Sequence, residues 1–177
     1  MKTFFTADTH FYHRKINEYC PGRGFTTSEE HDQGVIDKWN EIVGVRDEVW
    51  VLGDFCFSTW SRAIPMINIL NGHIHLVPGN HDTAWYKKQA IKDLEKITVH
   101  PHHVERRFDG TKTIMTHFPY EEWAGNNKGI LHLHGHAHGN GTRRAGRIDV
   151  GWDIFHKPVA IEEIIAYNPF ELKIEGC

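Results

Sequence analysis

Three apolar runs in the first half of the chain each stop at a glycine or a polar residue, and this recurrence constrains the fold most. The runs are residues 4–7, 48–52 and 73–77, and they lead into Asp8, Gly53-Asp54 and Pro78-Gly79-Asn80. Short apolar runs that end in turn residues are typical of buried strands. Helical periodicity in residues 28–43 and 61–70 separates the runs, which is typical of β–α–β units. Because the carboxyl ends of neighbouring strands share one edge of such a sheet, we expect the polar residues to converge there.

The second half of the chain is predicted to be richer in strands. Residues 104–108 and 111–115 flank Asp109-Gly110, which is a strong signal for a hairpin turn. Residues 130–133 and 147–150 are predicted as two further short strands, and residues 161–167 as a final helix. This distribution favours a second sheet packed on the first, within a single domain that spans residues 1–177.

Composition narrows the functional classes. The chain of 177 residues is 40% hydrophobic and 24% charged, as in ordinary globular proteins. Its formal net charge of -3 supplies no basic field for long nucleic acid. The sequence has no apolar run long enough to span a membrane. Cys20, Cys56 and Cys177 form no CxxC pair, so we expect reduced thiols in a cytoplasmic protein rather than disulfides or a zinc ribbon.

Histidine is the compositional outlier, with 15 residues in the chain. Several of these imidazoles lie in short runs with Asp, Asn and Gly: Asp8-Thr9-His10, Gly53-Asp54, Gly79-Asn80-His81-Asp82, His117 and Gly135-His136-Ala137-His138. Imidazole is the commonest metal ligand in proteins. The runs supply oxygen and neutral nitrogen ligands in numbers that suffice for two neighbouring divalent ions. Two such ions with open coordination positions are a common catalyst of phosphate-ester hydrolysis.

Most of these runs are ambiguous by themselves. Asp8 and His10 share a face of extended backbone and can reach one ion, but the same pair also occurs in surface turns. Asp54 has two oxygens that can bridge two ions, and an Asp in this position can equally cap a helix. A lone histidine such as His117 is more often structural than catalytic. Only their combination indicates a metal site.

The run Gly79-Asn80-His81-Asp82 is the most specific of the set. Asn80 offers a neutral carbonyl oxygen as a ligand. In a sharp turn His81 points away from Asn80, which suits a general acid better than a ligand. Asp82 is then expected to orient His81 and to fix its protonation.

Residues 131–138 alternate strictly between histidine and small or apolar residues. Extended backbone would place all four imidazoles on one face. A metal that binds the imidazoles in their neutral form removes their mutual repulsion. Alternation alone does not select the ligands. Gly135 permits a bend that would aim His136 and His138 into a site, with His132 and His134 behind them.

In this order the five runs resemble the blocks of the calcineurin-like metallophosphoesterases, and most closely those of the small bacterial and phage members that lack a cap. The resemblance spans residues 8–138. It implies an α/β fold in which two β-sheets pack as a sandwich flanked by helices. It also implies that one metal ion is bound by Asp8, His10 and His138, that a second is bound by Asn80, His117 and His136, that Asp54 bridges both, and that His81 stands near the leaving group.

The activity that the resemblance implies is metal-dependent hydrolysis of a phosphoester, by a phosphodiesterase or a phosphatase. A hydroxide that bridges two ions attacks phosphorus in line, and His81 assists the leaving group. The expected cofactors are two divalent metal ions, Mn²⁺ first, with Fe or Zn²⁺ as alternatives that suit the same ligands. The expected partner is a small phosphoester substrate. A nuclease acting on DNA or RNA ends is the alternative, and a non-catalytic metal-binding scaffold is disfavoured because it needs no unliganded general acid.

Overall fold

Two β-sheets and six α-helices form residues 1–167, the part of the chain that the computed structural model describes. The strands are β1 (Thr3–Thr6), β2 (Glu48–Val51), β3 (His73–Leu76), β4 (Ile97–Val99), β5 (His103–Phe108), β6 (Thr111–Thr116), β7 (Leu131–His134), β8 (Arg147–Asp149) and β9 (Val159–Ala160). The helices are α1 (Ile16–Tyr19), α2 (Ser28–Ile42), α3 (Trp60–Ile69), α4 (Gln89–Lys92), α5 (Trp152–Phe155) and α6 (Ile161–Tyr167).

The first sheet places the ends of three strands at one level. Its strand order is β4-β3-β2-β1-β9, with β1 to β4 parallel and β9 antiparallel to β1. Thr6 at the end of β1 pairs with Val51 at the end of β2, and Val51 pairs with Leu76 at the end of β3. The three segments that follow these strands therefore begin side by side, as the sequence predicts.

The second sheet has the order β5-β6-β7-β8. The predicted hairpin at Asp109-Gly110 is confirmed, with β5 and β6 antiparallel. Both turn residues have positive φ, 46° and 80°, which a tight hairpin turn requires. β6, β7 and β8 run parallel to one another. This mixed order lets β6 and β7 end at the same edge as β1 and β2.

The two sheets pack face to face through a buried apolar layer. Its members on the first sheet include Phe5 and Trp50, and those on the second include Met115, Leu133 and Ile148. Because successive strand residues face opposite sides, the neighbours of Phe5 and Trp50 point away from this layer. They form a second buried layer with the helices. The predicted α/β sandwich is thereby confirmed.

Helices α2 and α3 cover the outer face of the first sheet. Thr27 and Glu30 form a capping box that starts α2. Val35 and Trp39 of α2 are fully buried in one cluster with Ile67 of α3. Within residues 1–167, no helix combines the length and the apolar character that crossing a bilayer requires.

The sequence does not predict the shortest elements. β4 has three residues and β9 has two, and α1, α4 and α5 have four each. Such segments are too short to show a hydrophobic period, so tertiary contacts define them. Cys20 and Cys56 carry free thiols, while Cys177 lies outside the described residues.

Imidazoles fill one edge of the layer between the sheets. His75 and His100 both stack on Trp50, with ring centroids 4.6 and 4.7 Å from the indole. Arg106 of β5 lies over the same indole, with its guanidinium carbon 5.2 Å from the ring centroid. Burial, together with the charges of His73, His100 and Arg106, lowers the pKa of His75 to about 4. The folded protein therefore holds His75 neutral.

We expect this histidine to make the protein sensitive to acid. Its pKa is lower in the folded than in the unfolded chain, so its contribution to stability is present above pH 6.5 and is lost as the pH falls towards 4. His75→Phe keeps a ring against Trp50 and removes the titrating group. The free energy of unfolding should then fall less over this pH range than in the wild type, measured by urea denaturation of EDTA-treated protein.

The matched control for this prediction is Val45→Phe, because Val45 does not titrate and is 78% exposed in the turn before β2. This variant should keep the wild-type slope of stability against pH. Equal slopes for the wild type and both variants would contradict the prediction.

Candidate metal centre

The segments that follow β1, β2 and β3 are joined by hydrogen bonds. The backbone N–H of Asp8 donates to the carbonyl of Gly53 at 3.0 Å, and that of His10 donates to the carbonyl of Asp54 at 2.9 Å. The backbone N–H of His81 donates to Oδ1 of Asp54 at 2.9 Å. Three of the sequence runs therefore converge at one edge, and Asp54 lies between the other two.

The second sheet brings the remaining runs to the same edge. The imidazole of His117, directly after β6, lies with Nδ1 2.9 Å from the carbonyl oxygen of Leu52. The N–H of Gly135 donates to the carbonyl of His117 at 3.0 Å. The N–H of His136 donates to Oδ2 of Asp8 at 2.8 Å. The site is therefore assembled from both sheets.

The side chains form two groups. In each group the candidate ligand atoms lie within 4.8 Å of one another; the first is Asp8, His10 and His138, and the second is Asp54, His117 and His136. Oδ2 of Asp54 lies 3.8 Å from Nε2 of His10 and 3.4 Å from Nε2 of His117, so this carboxylate faces both groups. Oδ1 of Asn80 lies 3.0 Å from Nε2 of His117. Each predicted ligand is therefore placed in or beside one of these groups.

The donor atoms fit divalent metal ions. Oδ1 of Asp8 and both ring nitrogens of His10 are buried without a hydrogen-bond partner among residues 1–167. Buried polar atoms without partners are rare in folded proteins because they are costly. Nδ1 of His117 donates to the carbonyl oxygen of Leu52, so Nε2 is the ring nitrogen that faces the site. Burial lowers the pKa of this imidazole, but the hydrogen bond to Asp54 and the charges of Asp8 and Asp54 outweigh it and raise the pKa to about 9. Carboxylate oxygens and neutral imidazole nitrogens are common ligands of Mn²⁺, Fe and Zn²⁺.

Burial and charge set the protonation of the protein groups. Burial raises the pKa of Asp8 to about 7, and the neighbouring carboxylates of Asp149 and Asp54 add to the shift. Burial opposes ionisation of Asp54 too, but the hydrogen bond and charge of His117 outweigh it and hold the pKa of Asp54 at about 2. Burial lowers the pKa of His10 well below its ordinary value. A cation is therefore met by an ionised Asp54 and a neutral His10, whereas Asp8 and His117 each have to lose a proton before they can bind it.

Five of the predicted ligands have left-handed backbone. The φ angles are 55° at Asp8, 49° at His10, 51° at Asp54, 68° at His136 and 48° at His138. This conformation costs a non-glycine residue roughly 1–2 kcal/mol. Strained backbone is concentrated at functional sites, where the surrounding structure enforces it. Here the sharp turns point the ligand side chains inward immediately after the strands.

Two glycines allow the loops to approach closely. Gly53 has a φ of 87°, and a Cβ there would lie 2.4 Å from Nδ1 of His117. A Cβ on Gly79 would lie 2.2 Å from Oδ1 of Asp54. Any larger residue at either position would displace a predicted ligand.

The prediction that Asp82 orients His81 is wrong. Its carboxylate is fully buried and accepts backbone N–H groups from Asp54 at 2.9 Å, Phe55 at 3.0 Å and Gly79 at 2.8 Å. It therefore fixes the two loops rather than orienting His81. The chain enters a helical turn at His81, which directs Asp82 inward and leaves the imidazole of His81 40% exposed.

The alternating histidines do not share one face. β7 ends at His134, and the left-handed turns at His136 and His138 interrupt the extended backbone. His136 joins the second group and His138 the first. His132 is hydrogen-bonded to Thr116 at 2.8 Å instead of lying behind the predicted ligands. Alternation identified the segment but not the division of its members.

Sequence spacing gives no signal for Asp153, which contacts the site through His138. Oδ2 of Asp153 lies 2.6 Å from Nδ1 of His138. The buried guanidinium of Arg23 donates to both oxygens of Asp153, at 2.8 and 2.7 Å, and to the carbonyl of Asp8 at 2.7 Å. A carboxylate on the outer nitrogen of a metal-binding imidazole fixes the ring and makes it a stronger ligand. Arg23 and Asp153 thus brace the group formed by Asp8, His10 and His138.

Comparison with known proteins agrees with this geometry. A family model described as calcineurin-like phosphoesterase matches residues 1–170. The chain belongs to this family. The chain is 29% identical over 174 residues to an uncharacterized protein of Methanocaldococcus jannaschii, across 93% of this chain and 89% of that protein. It is 27% identical over 195 residues to the Gene 66 protein of Mycobacterium phage D29, across 91% of this chain and 92% of that protein.

Solved structures show the same fold at low sequence identity. A protein of unknown function from Aquifex aeolicus superimposes with a TM-score of 0.71 at 21% identity, covering 94% of this chain and 98% of that one. The phosphoesterase Yfce from E. coli does so with a TM-score of 0.50 at 15% identity, covering 85% and 78%. Family membership makes the chain a metal-dependent phosphoesterase.

We expect Asp153→Asn to weaken metal binding. The amide keeps the size of the side chain but loses the negative charge that holds Nδ1 of His138. Losses of about 10- to 100-fold in metal affinity are typical of such changes. Calorimetric titration of the metal-free protein with Mn²⁺ measures the effect. Asp93→Asn on the exposed surface is the control, and an unchanged affinity in a folded Asp153→Asn protein would refute the role.

Asp82→Ala should destabilise the protein, although Asp82 is not a predicted metal ligand. The substitution leaves the buried N–H groups of Asp54, Phe55 and Gly79 without their acceptor. We expect the free energy of unfolding to fall by about 3 kcal/mol or more. Urea denaturation measures it, with the exposed Asp37→Ala as a control that should change stability by less than about 0.5 kcal/mol. A loss as small as the control's would contradict the assigned role of Asp82.

Proposed function

We propose that the chain hydrolyses phosphoesters with two divalent metal ions held at the junction of its two sheets. Asp8, His10 and His138 would hold one ion, and Asn80, His117 and His136 the other, with Asp54 shared between them. The observation that carries the proposal is the position of Asp54, whose Oδ2 faces both Nε2 of His10 and Nε2 of His117. Mn²⁺ is the metal proposed first.

The site is buried on one side and open on the other. Asp8, His10, Asp54 and His117 are at most 3% exposed, so water reaches them only from the open side. Asn80, His81 and His136 form the exposed rim. A phosphoester placed over this rim has its phosphorus facing the buried carboxylates. Divalent ions supply Lewis acidity when bound, which lowers the pKa of water and offsets the charge of the phosphate.

We propose that His81 serves the leaving group. Its imidazole lies outside both ligand groups, with its ring centroid 5.5 Å from that of His10. Its backbone N–H is held by Asp54, so the residue cannot drift from the site without breaking that bond. In the proposed reaction water adds its oxygen to phosphorus, and the bond between phosphorus and the leaving oxygen breaks. His81 gives a proton to that oxygen and regains one from the water.

We expect hydrolysis of bis-p-nitrophenyl phosphate, mono-p-nitrophenyl phosphate, or both, in the presence of Mn²⁺. Asp54→Asn should lower kcat at least about a hundredfold, because the amide is a poorer shared ligand. Absorbance of the released p-nitrophenol measures the rate. His103→Ala on β5 is the matched control and should keep the wild-type rate. Wild-type inactivity with Mn²⁺, Zn²⁺ and Fe²⁺ would refute the enzyme, and full activity in Asp54→Asn would refute the site.

The role of His81 has its own signature. General acids typically raise the reaction rate about 10²- to 10⁴-fold, and the effect is largest when the leaving oxygen is basic. His81→Ala should therefore slow a diester with an alkyl alcohol as leaving group far more than one that releases p-nitrophenol. Affinity for Mn²⁺, measured by calorimetry, should stay at the wild-type value. An equal loss on both esters, or weakened metal binding, would contradict the assignment.

A further inference from the structure

A groove with a volume of about 430 Å³ opens beside the metal centre, on the side of His81. His13 and Phe57 form the wall that the groove shares with the centre, and their ring centroids are 4.6 Å apart. The ring of His13 lies 5.4 Å from that of His10, and the ring of Phe57 lies 5.2 Å from that of His81. A leaving group that departs beside His81 therefore enters this groove.

The groove is lined by cations without carboxylate partners. Arg14, Lys15 and Arg62 line it, and within residues 1–167 none of the three forms an ion pair with Asp or Glu. The guanidinium of Arg62 is held over the ring of Tyr12, with its carbon 4.0 Å from the centroid. The chain as a whole has a net charge of -3, so this is a local concentration of positive charge. Such a groove attracts an anion.

Aromatic rings line the same groove and are exposed to solvent. Tyr19 is 67% exposed and Phe57 is 47% exposed. The ring of His13 lies between them, 5.9 Å from Tyr19 and 4.6 Å from Phe57. Exposed aromatic rings beside a positively charged groove are the platforms on which bases of single-stranded nucleic acid stack. The groove therefore combines a surface for a planar ring with charges for a phosphate.

We propose that the groove binds the leaving group of the substrate. This leaving group is a nucleoside monophosphate, whose phosphate is a second one beside the phosphate that is hydrolysed. This inference rests on the proposed hydrolysis. The bond from phosphorus to the nucleotide oxygen breaks, water supplies the new oxygen on phosphorus, and the nucleotide departs as an alcohol. The volume lies in the usual range of roughly 300–1,000 Å³ for small-molecule sites. The substrate class is accordingly a dinucleotide or the end of a short single strand, not a long duplex.

The first test is binding of thymidine 3′-monophosphate and of thymidine 5′-monophosphate to the metal-free protein, measured by calorimetry. Phe57→Ala removes a stacking ring and Arg62→Glu reverses a charge, and each should weaken binding about tenfold. Arg46→Glu is the matched control, because Arg46 precedes β2 and lies at the opposite end of the sheet from the site. Thymidine and inorganic phosphate should each bind more weakly than the better of the two monophosphates. Binding that neither groove variant alters would overturn the proposal.

The second test is hydrolysis with Mn²⁺ of thymidylyl-thymidine, with and without a phosphate at one end. The wild type and Arg46→Glu should prefer a terminally phosphorylated dinucleotide by about tenfold in kcat/KM, and Arg62→Glu should lose most of this preference. Hydrolysis of bis-p-nitrophenyl phosphate without such a preference would overturn the nucleotide leaving group while the proposed function stands. Inactivity on every ester would overturn the proposed function, and the calorimetry would still decide whether the groove binds a nucleotide.

Discussion

The strands β1, β2 and β3 end side by side at one edge of the first sheet, and the rest of the site depends on this constraint. Parallel pairing places Thr6, Val51 and Leu76 side by side, so the three following segments must turn at the same place. The room for these turns is small, which explains the left-handed backbone at Asp8 and Asp54 and the glycines that pack against ligand atoms. Burial of the carboxylates, and hence their shifted pKa values, follows from this crowding.

Charged groups that are not themselves ligands hold the crowded loops in place. Asp82 gathers backbone N–H groups from the loops after β2 and β3, and Arg23 with Asp153 joins the loop after β1 to His138. Replacing such a buried charge together with all its partners by apolar groups would change stability little, because desolvation offsets much of the attraction, whereas removing one member alone is costly. Their effect is geometric, since each has a single arrangement in which its hydrogen bonds are made. These hydrogen bonds fix the positions of the predicted ligand atoms without the help of a cation.

Local sequence patterns predicted the scaffold well. An apolar run followed by a turn residue is a pattern of only a few positions, and it is enough to predict a strand and the point where it ends. The runs around Asp8, Asp54 and Asn80 were placed at the correct edge for this reason. The partners of Asp82, the contact of Asp153 with His138 and the separation of His136 from His138 were beyond such patterns. Each depends on the sign of φ at one residue or on proximity between distant segments. The family resemblance supplied the division of ligands that periodicity left open.

Both candidate ligand groups draw members from both sheets. Asp8 and Asp54 follow strands of the first sheet, whereas His117, His136 and His138 follow strands of the second. The hydrogen bond from His136 to Asp8 already joins residues 128 positions apart. An ion bound here would hold side chains from both sheets, and it would stabilise the folded chain because it would bind the folded form and not the unfolded one. Metal supply and the cohesion of the sandwich would then be coupled, and the centre would form only late in folding, after the two halves of the chain have met.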